Sequence, residues 1–158
     1  MSFVIEKMDD DGNIPWELLF EADPSEEMVR SYIKRSEVFT AKSGEEICGV
    51  LAVMEIKPAT WELMNVAVKE GWKNKGIGKQ LVKKAIDVAK NRGAATLELG
   101  TGNSSIGQLA LYQKCGFRIT GIDSGFFQRR YKEPIVENGI QCVDMVRLAL
   151  HFEREQED

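Results

Sequence analysis

The alternation of apolar and polar residues along the chain predicts strands and helices in a mixed order. Residues 47–56 are apolar at nearly every position, which is typical of a central strand covered on both faces. Residues 76–92 repeat apolar side chains at helical spacing and predict an amphipathic helix. The other predicted strands are 3–8, 38–42, 60–68, 95–99 and about 141–150, and the other helices are 15–22, 25–35 and a segment ending at 114–116. The pattern indicates a mixed α/β sheet with helices on both sides.

Capping and turn residues mark the ends of these elements. Ser25 opens the second helix, with two glutamates in its first turn, and Asn103 or Ser104 is expected to cap the last one. Gly116 ends that last helix, because glycine adopts the left-handed conformation readily. The remaining segments are a polar turn at 9–13, a strand after Phe117, an irregular aromatic segment and a turn at 137–139.

Length and composition indicate one globular domain over residues 1–152, followed by an acidic tail at 153–158. Of the 158 residues, 43% are hydrophobic and 29% are charged, and no apolar run approaches the ~20 residues that span a membrane. Cys48, Cys115 and Cys142 are far apart and form no Cys-x-x-Cys pair, so we expect a reduced, cytoplasmic protein. A net charge of −4 argues against nucleic-acid binding.

The segment with the most chemical information is a basic, glycine-containing turn between a strand and a helix. A turn of this kind presents unpaired backbone N–H groups and the positive end of a helix dipole, and both favour a bound phosphate. Its glycines let the main chain approach the ligand closely. The sequence therefore predicts a diphosphate site. The turn consists of Lys73, Asn74, Lys75, Gly76, Ile77 and Gly78.

Two common nucleotide motifs do not fit this turn. Gly71 and Gly76 have the spacing that opens a P-loop, but Ile77 and Gly78 stand where the motif requires Lys and Ser or Thr. ATP or GTP hydrolysis is therefore disfavoured. A dinucleotide fingerprint fails as well, because Leu81 occupies the position of its third glycine.

The order strand, basic Gly-x-Gly turn, helix, strand and helix resembles the GCN5-related N-acetyltransferase (GNAT) superfamily. The family's signature is Arg/Gln-x-x-Gly-x-Gly/Ala, followed by an Asn and a Leu-Tyr-x-x-x-Gly-Phe segment, which residues 111–117 match. Lys73 replaces the usual Arg or Gln and keeps the positive charge, but it lacks planar two-pronged donation. The resemblance implies the GNAT fold, with a mostly antiparallel mixed sheet and helices on both faces. It also implies acetyl-CoA as cosubstrate and no metal.

The same resemblance assigns residues to the cofactor. Main-chain groups of Val66, Ala67 and Val68 are expected to pair with pantetheine, and the N–H groups from Lys73 to Lys79 are expected to hold the pyrophosphate. Asn103 is expected to touch the cofactor or to order the site. The alternatives are a plain core strand for 66–68 and a helix cap for Asn103.

Tyr112 is the expected proton donor to the departing thiolate. A phenol with an ordinary pKa of ~10 is matched within about two units to a thiol near ~8.5. Taken in isolation, Tyr112 is better explained as a residue packed at a helix–sheet contact. Its position in the Leu-Tyr-x-x-x-Gly-Phe segment, where the family often has a catalytic tyrosine, favours the catalytic role.

Glu62 is a candidate general base. It stands six residues before Val68, where some histone-acetylating relatives have their base. Regular alternation would put Glu62 on one face with Met64, Val66 and Val68, so it could take the amine proton through water. The alternative is a hydrogen-bonded carboxylate at the end of a strand.

Other catalytic chemistry has little support. His151 is the only histidine, so neither a Ser-His-Asp triad nor a zinc site is indicated. Cys115 has no evident partner base, and a small residue packed at a helix end explains it better than a nucleophile does.

The acceptor amine stays open at this point. The acidic residues of the first two helices would suit a polycationic amine, whereas Phe127, Arg129 and Tyr131 would suit an aromatic or anionic acceptor. We expect an N-acetyltransferase working by direct attack in a ternary complex on a small-molecule amine, as a monomer or homodimer without a membrane partner. The alternatives are acetylation of a protein N-terminus or lysine, or a non-catalytic module that only binds acetyl-CoA.

Overall fold

The computed structural model describes residues 2–9 and 12–153. The strands are β1 (Val4–Lys7), β2 (Glu37–Ser43), β3 (Glu46–Lys57), β4 (Thr60–Val68), β5 (Thr96–Gly102), β6 (Arg118–Asp123), β7 (Val136–Glu137), β8 (Ile140–Gln141) and β9 (Met145–His151). The helices are α1 (Trp16–Ala22), α2 (Glu26–Ile33), α3 (Ile77–Asn91), α4 (Ile106–Lys114) and α5 (Phe126–Arg130).

Seven strands form one sheet in the order β1-β2-β3-β4-β5-β9-β6. Only β4 and β5 run parallel in this sheet as described, and the other neighbours are antiparallel. The short strands β7 and β8 form a separate hairpin. The predicted mixed, mostly antiparallel sheet is therefore confirmed.

Helices cover both faces of this sheet. We call the side covered by α3 and α4 the α3 face, and the side covered by α1 and α2 the α1 face. Alternate residues of β3 divide between them: Leu51 and Val53 pack on the α3 face, whereas Val50 and Ala52 pack on the α1 face. All four are fully buried, which confirms the prediction that this strand is central and covered on both sides.

Helix α3 packs directly against the sheet at its first turn. Ile77 and Leu81 are fully buried there, and they pack over Gly49 of β3. A Cβ at position 49 would stand 2.9 Å from Ile77 Cγ2 and 3.0 Å from Leu81 Cδ1. The absence of a side chain at Gly49 therefore sets the height of the helix start above the sheet.

Most predicted boundaries agree with the structure. The strands predicted at 38–42, 47–56 and 60–68 correspond to β2, β3 and β4 to within a residue. Ser25 caps α2 as expected, because its Oγ accepts a hydrogen bond of 3.3 Å from the Met28 N–H.

The helix cap predicted at Asn103 or Ser104 is wrong. Helix α4 begins at Ile106, and its N-cap is Ser105, which makes no side-chain capping bond. Asn103 instead accepts hydrogen bonds from the N–H groups of Val143 (2.8 Å) and Asp144 (3.0 Å). These two N–H groups are therefore not available for hydrogen bonds with a neighbouring strand.

That contact also explains a second difference. The strand predicted over 141–150 is broken at 142–144, so β8 ends at Gln141 and β9 begins at Met145. The predicted irregular aromatic segment contains the short helix α5, while the turn predicted at 137–139 is the tip of the β7–β8 hairpin. Two predicted segments, the interior of the polar turn at 9–13 and the acidic tail after Glu153, fall outside the described residues.

Candidate active site

Strands β4 and β5 separate part of the way along the sheet. They pair only from Thr60 and Thr96 to Glu62 and Glu98, and no later residue of β4 pairs with β5 in the described chain. On its other edge β4 stays paired with β3 as far as Val68. The β5-facing backbone edge of 63–68, which includes the predicted pantetheine-binding residues, is therefore open to a ligand.

The predicted anion-binding turn follows directly after this open edge. None of the backbone N–H groups from 73 to 79 donates a hydrogen bond of ordinary geometry to another described residue. Asn74 and Gly76 have positive φ angles of 64° and 83°, so the chain reverses sharply before α3 starts. Seven successive unpaired amides at a helix start are the arrangement that binds phosphate groups.

The turn, the end of β4 and helix α4 meet at Gly78. A Cβ at this position would lie 3.6 Å from Leu111 Cδ2 and 3.7 Å from Val68 Cγ2. The predicted coenzyme-binding residues are thus brought together with the helix that carries Tyr112. Lys73, the departure from the family signature, pairs with Glu70 at 3.0 Å on the exposed surface of the turn.

Tyr112 lies in the core between α4 and the sheet. Its ring packs edge-on against Phe117, with centroids 6.1 Å apart, and only 5% of the residue is exposed. Burial, with a smaller contribution from Cys115, raises the pKa of the Tyr112 phenol above its ordinary value. The side chain therefore keeps its proton at neutral pH, but it is a weaker acid than the ordinary pKa suggests.

Glu62 does not lie on the face predicted for it. Ala52 pairs with Asn65 and Val53 with Leu63, so Met64 between them is a β-bulge. Before the bulge the odd-numbered residues of β4 face α3, and after it the even-numbered residues do.

Residues on either side of the bulge consequently fall on unexpected faces. Val66 and Val68 pack on the α3 face, while Met64 and Ala67 pack on the α1 face. Glu62, between the α3-face residues Trp61 and Leu63, lies on the α1 face. The predicted common face of Glu62 with Val66 and Val68 is therefore wrong.

The Glu62 carboxylate forms an ion pair that the sequence did not reveal. Arg147 Nη2 of β9 lies 2.8 Å from Glu62 Oε1 and 3.6 Å from Glu98 Oε2. All three side chains are partly exposed, between 19% and 31%. This network sits at the last paired residues of β4 and β5, on the α1 face.

Tyr32 of α2 is joined to β4 and α1 through Asn65. Its hydroxyl accepts a hydrogen bond of 2.9 Å from Asn65 Nδ2, whose second hydrogen goes to the Leu19 carbonyl. Burial, and then the nearby charges of Asp23 and Glu62, raise the pKa of Tyr32 to about 12, although the Asn65 bond opposes them.

Asp23 links the α1–α2 loop to α5. Tyr131 donates a hydrogen bond of 2.8 Å from its hydroxyl to Asp23 Oδ1. Burial, followed by the charge of Asp23, raises the pKa of Tyr131 above its ordinary value. The phenol therefore remains a hydrogen-bond donor across the physiological pH range.

Two of the three predicted acceptor residues lie together and one is turned away. The rings of Phe127 and Tyr131 are stacked with centroids 5.7 Å apart, and both line a cavity of about 240 Å³ with Lys132 and Gln141. Arg129 instead donates to Asp123 Oδ1 at 2.7 Å, next to the end of β6.

Asn103 is engaged at both ends of its amide. Its Nδ2 donates to the Gln141 carbonyl at 3.1 Å, and its Oδ1 receives the two amides described above. The side chain therefore holds the end of β5 against the segment that precedes β9. Contact between Asn103 and a cofactor stays a prediction.

Sequence reasoning missed the residues that connect distant strands and helices. Arg147, Tyr32 and Asn65 stand at ordinary strand and helix positions, and only the partners brought by the fold distinguish them. The one available signal was Arg147 itself, a charged residue between two buried apolar neighbours of a strand. Within residues 2–9 and 12–153, no group of three or more His, Cys, Asp or Glu side chains is arranged to hold a metal ion, and no helix is long and apolar enough to span a membrane.

Comparison with known proteins gives consistent matches. The model of the acetyltransferase (GNAT) family matches residues 5–117. A protein of Bacillus subtilis (strain 168) described as an uncharacterized N-acetyltransferase, YvbK, is 57% identical over 135 residues, which are 85% of this chain and 87% of that protein.

Two solved structures are similar over nearly the whole chain. A Bacillus subtilis acetyltransferase in complex with CoA is 52% identical with a TM-score of 0.90, and the match covers 96% of this chain and 100% of that one. A GNAT family acetyltransferase from Elizabethkingia anophelis with acetyl-CoA bound is 45% identical with a TM-score of 0.91, covering 95% of this chain and 98% of that one.

Proposed function

Since the chain belongs to the acetyltransferase (GNAT) family, we propose that this acetyl-CoA-dependent N-acetyltransferase acetylates a primary amine of a small molecule by direct attack in a ternary complex. The observation that carries the proposal is the run of unpaired amides from 73 to 79, beside the open edge of β4. The proposal includes a cytoplasmic location, in keeping with three free cysteines.

The coenzyme would lie in the opening between β4 and β5. Pantetheine amides would pair with the main chain of Val66, Ala67 and Val68, in the place that β5 would occupy if it stayed paired with β4. The diphosphate would take the N–H groups of 73–79, with Lys75 and Lys79 adding positive charge nearby. That similar proteins have been solved with CoA and with acetyl-CoA supports binding of this coenzyme.

Tyr112 would supply the proton for the leaving group. When the amine nitrogen attacks the thioester carbonyl, the carbon–sulfur bond breaks and the thiolate takes the phenolic proton. The position of Tyr112 on α4, next to the turn through Leu111 and Gly78, supports this role. Because burial raises the pKa of Tyr112, the transfer is more uphill than ordinary pKa values suggest.

Glu62 would receive the amine proton through a water molecule. Its Oε1 is bound by Arg147, but its Oε2 accepts no hydrogen bond from the described residues. That free oxygen lies where β4 and β5 begin to separate, and so near the thioester end of the proposed coenzyme site. A carboxylate with one free oxygen can orient water and accept a proton.

The acceptor would occupy the α1 face beyond Glu62. The three charges of Asp23, Glu62 and Glu98 outnumber those of Arg147 and Arg130 there, which suits an amine that arrives protonated. Phe127 and Tyr131 would contact its apolar part through their stacked rings. Arg129 is held by Asp123 and would reach the acceptor only after leaving that pair.

A titration followed by NMR tests the coenzyme site. We expect acetyl-CoA to shift the backbone amide resonances of residues 73–79 and to leave those of α2, which lies across the sheet, much less affected. The proposal fails if saturating acetyl-CoA leaves the 73–79 resonances unmoved.

A thiol-release assay tests the reaction itself. The panel contains spermidine, phenylethylamine, an amino acid amide, and peptides with a free N-terminus or an internal lysine. Turnover on the small amines supports the proposal. Turnover on the peptides alone would reassign the acceptor to protein, and tight binding of acetyl-CoA without turnover on any amine would indicate a non-catalytic module.

A further inference from the structure

The side chain of Arg147 crosses an entire strand to reach Glu62. Arg147 lies on β9 and pairs with Gly100 on β5, while Glu62 lies on β4 at the far side of β5. The guanidinium reaches 2.8 Å from Glu62 Oε1 and passes 3.6 Å from Glu98 Oε2 on the way. One cation thus connects three neighbouring strands on the α1 face.

Gly100 leaves the space through which this crossing runs. A Cβ at position 100 would stand 2.6 Å from Arg147 Nη1 and 2.6 Å from Met145 Sδ, distances that real Cβ atoms do not show. The backbone of Gly100 is not in the left-handed region, so the turn chemistry of glycine does not explain its presence. The room it leaves above β5 is occupied by the guanidinium.

The crossing also reduces the repulsion between two neighbouring carboxylates. Glu62 and Glu98 are register partners in the last pair of β4 and β5, and like charges in that relation repel each other. Arg147 lies between them, and the three side chains are too buried for water to screen the repulsion fully. A planar guanidinium orients a carboxylate better than a lysine ammonium does.

We infer that Arg147 is a positioning residue that holds Glu62 by one oxygen and leaves the other directed to the acceptor amine, with its guanidinium in the space that Gly100 leaves open. This inference rests on the proposed function of Glu62 as proton acceptor. Arg147 itself touches neither the amine nor the thioester, and acts only through Glu62.

The test compares five variants on the fastest amine of the panel. These are Arg147→Gln, Arg147→Lys, Gly100→Ala, Glu62→Gln and the double variant Glu62→Gln/Arg147→Gln. Arg118→Gln on β6 is the matched control, because Arg118 is exposed and forms no ion pair with the described residues. For each variant kcat, the KM for amine, the KM for acetyl-CoA and the melting temperature are measured.

We expect Arg147→Gln to lower kcat about tenfold, the lower end for residues that support a catalytic group. The KM for acetyl-CoA should stay within about twofold, because the coenzyme site uses other groups. Arg147→Lys should restore part of the loss. Gly100→Ala, which keeps the arginine but displaces it, should lower kcat in the same direction. In the Glu62→Gln background, Arg147→Gln should cause no further fall in kcat.

Several results would overturn the inference. If Glu62→Gln lowers kcat but Arg147→Gln and Gly100→Ala do not, the inference fails and the proposed role of Glu62 stands. A further fall in the double variant would mean that Arg147 acts independently of Glu62, which also overturns it. If Glu62→Gln has no effect, the proposed base and the inference fail together. Should Arg147→Gln melt too early to assay, Arg147→Lys and Gly100→Ala carry the decision.

Discussion

The two halves of the proposed site, one for the coenzyme and one for the acceptor, are built from different parts of the polypeptide. The proposed coenzyme half consists of main-chain groups, the amides of 73–79 and the open edge of β4. The proposed acceptor half consists of side chains from separate elements, such as Glu62 and Arg147, which stand 85 positions apart. Main-chain ligands depend on the local turn, whereas side-chain ligands depend on the register of the whole sheet. The comparison teaches that the coenzyme half should be sensitive to backbone changes, and the acceptor half to charge and hydrogen bonding.

A backbone change in the coenzyme half should have the largest effect. Gly76 precedes α3 with a φ angle of 83°, which a β-branched residue cannot adopt without strain. Gly76→Val should reorient the following amides. Loss of two charge-assisted hydrogen bonds at about 2 kcal/mol each would weaken acetyl-CoA binding about a thousandfold. Isothermal titration calorimetry measures this.

The same substitution elsewhere gives the control. Gly121 on β6 has open space around its Cβ position and no positive φ, so Gly121→Val should leave the affinity unchanged. If Gly76→Val binds acetyl-CoA as tightly as the wild type, the coenzyme half does not depend on this turn.

Tyr112→Phe separates chemistry from binding. Loss of a general acid costs about a hundredfold or more in kcat, and we expect the lower figure because burial already raises the pKa of Tyr112. The affinity for acetyl-CoA should stay the same, since the phenyl ring keeps its packing against Phe117. Steady-state thiol release gives kcat. A drop in affinity with an unchanged kcat would place Tyr112 in the coenzyme half instead.

A charge change in the acceptor half should act on the amine alone. Asp23→Asn keeps an oxygen for the hydrogen bonds from Tyr131 and Ser25 but removes the negative charge. The KM for a cationic amine should rise about tenfold, or about 1.4 kcal/mol, with little change in kcat. Asp87→Asn on the opposite face is the control. Equal effects on cationic and neutral amines would show that the charge is not what Asp23 contributes.

The last effect concerns stability at high pH rather than activity. The folded-state pKa of Tyr32 is raised from 10.0 to about 12, so the folded protein holds this proton more tightly than the unfolded chain. The associated stability is complete below pH 10 and is lost as pH rises from 10 to 12. The loss amounts to roughly 2 to 3 kcal/mol, from 1.36 kcal/mol per pKa unit.

Tyr32→Phe should remove this part of the alkaline destabilisation. Urea unfolding at pH 9 and pH 12 measures it, and the variant should lose less stability than the wild type between the two values. At pH 9 the variant should be about 1 kcal/mol less stable, because the hydrogen bond with Asn65 is gone. An identical pH dependence for both proteins would mean that Tyr32 is not protected in the folded state.

The same division explains what could be predicted from the sequence. Strands β3 and β4 and helix α3 were predicted to within a residue or two, because each has a strong local pattern. The turn that precedes α3 was equally evident, since its glycines and lysines are adjacent. These local signals also define the coenzyme half.

The rest depends on contacts between distant segments. Nothing in Leu63, Met64 and Asn65 announces a bulge, yet the bulge decides which face Glu62 occupies. The break before β9 arises because Asn103, some 40 positions earlier, binds the amides that would have continued the strand. The position of β9 between β5 and β6 likewise depends on which strands pair, and the local pattern of apolar residues does not contain this information.

The glycine at position 49 helps to set the position of the turn in the proposed coenzyme half. Gly49 lies beneath the first turn of α3, on β3, one strand away from the open edge between β4 and β5. A methyl group at position 49 would push Ile77 and Leu81 away from the sheet, and the backbone amides of 73–79 would move with the start of α3. Substitutions at Gly49 should therefore weaken acetyl-CoA binding although residue 49 does not contact the coenzyme. A screen for inactive variants would then identify a binding defect caused by a residue of the hydrophobic core.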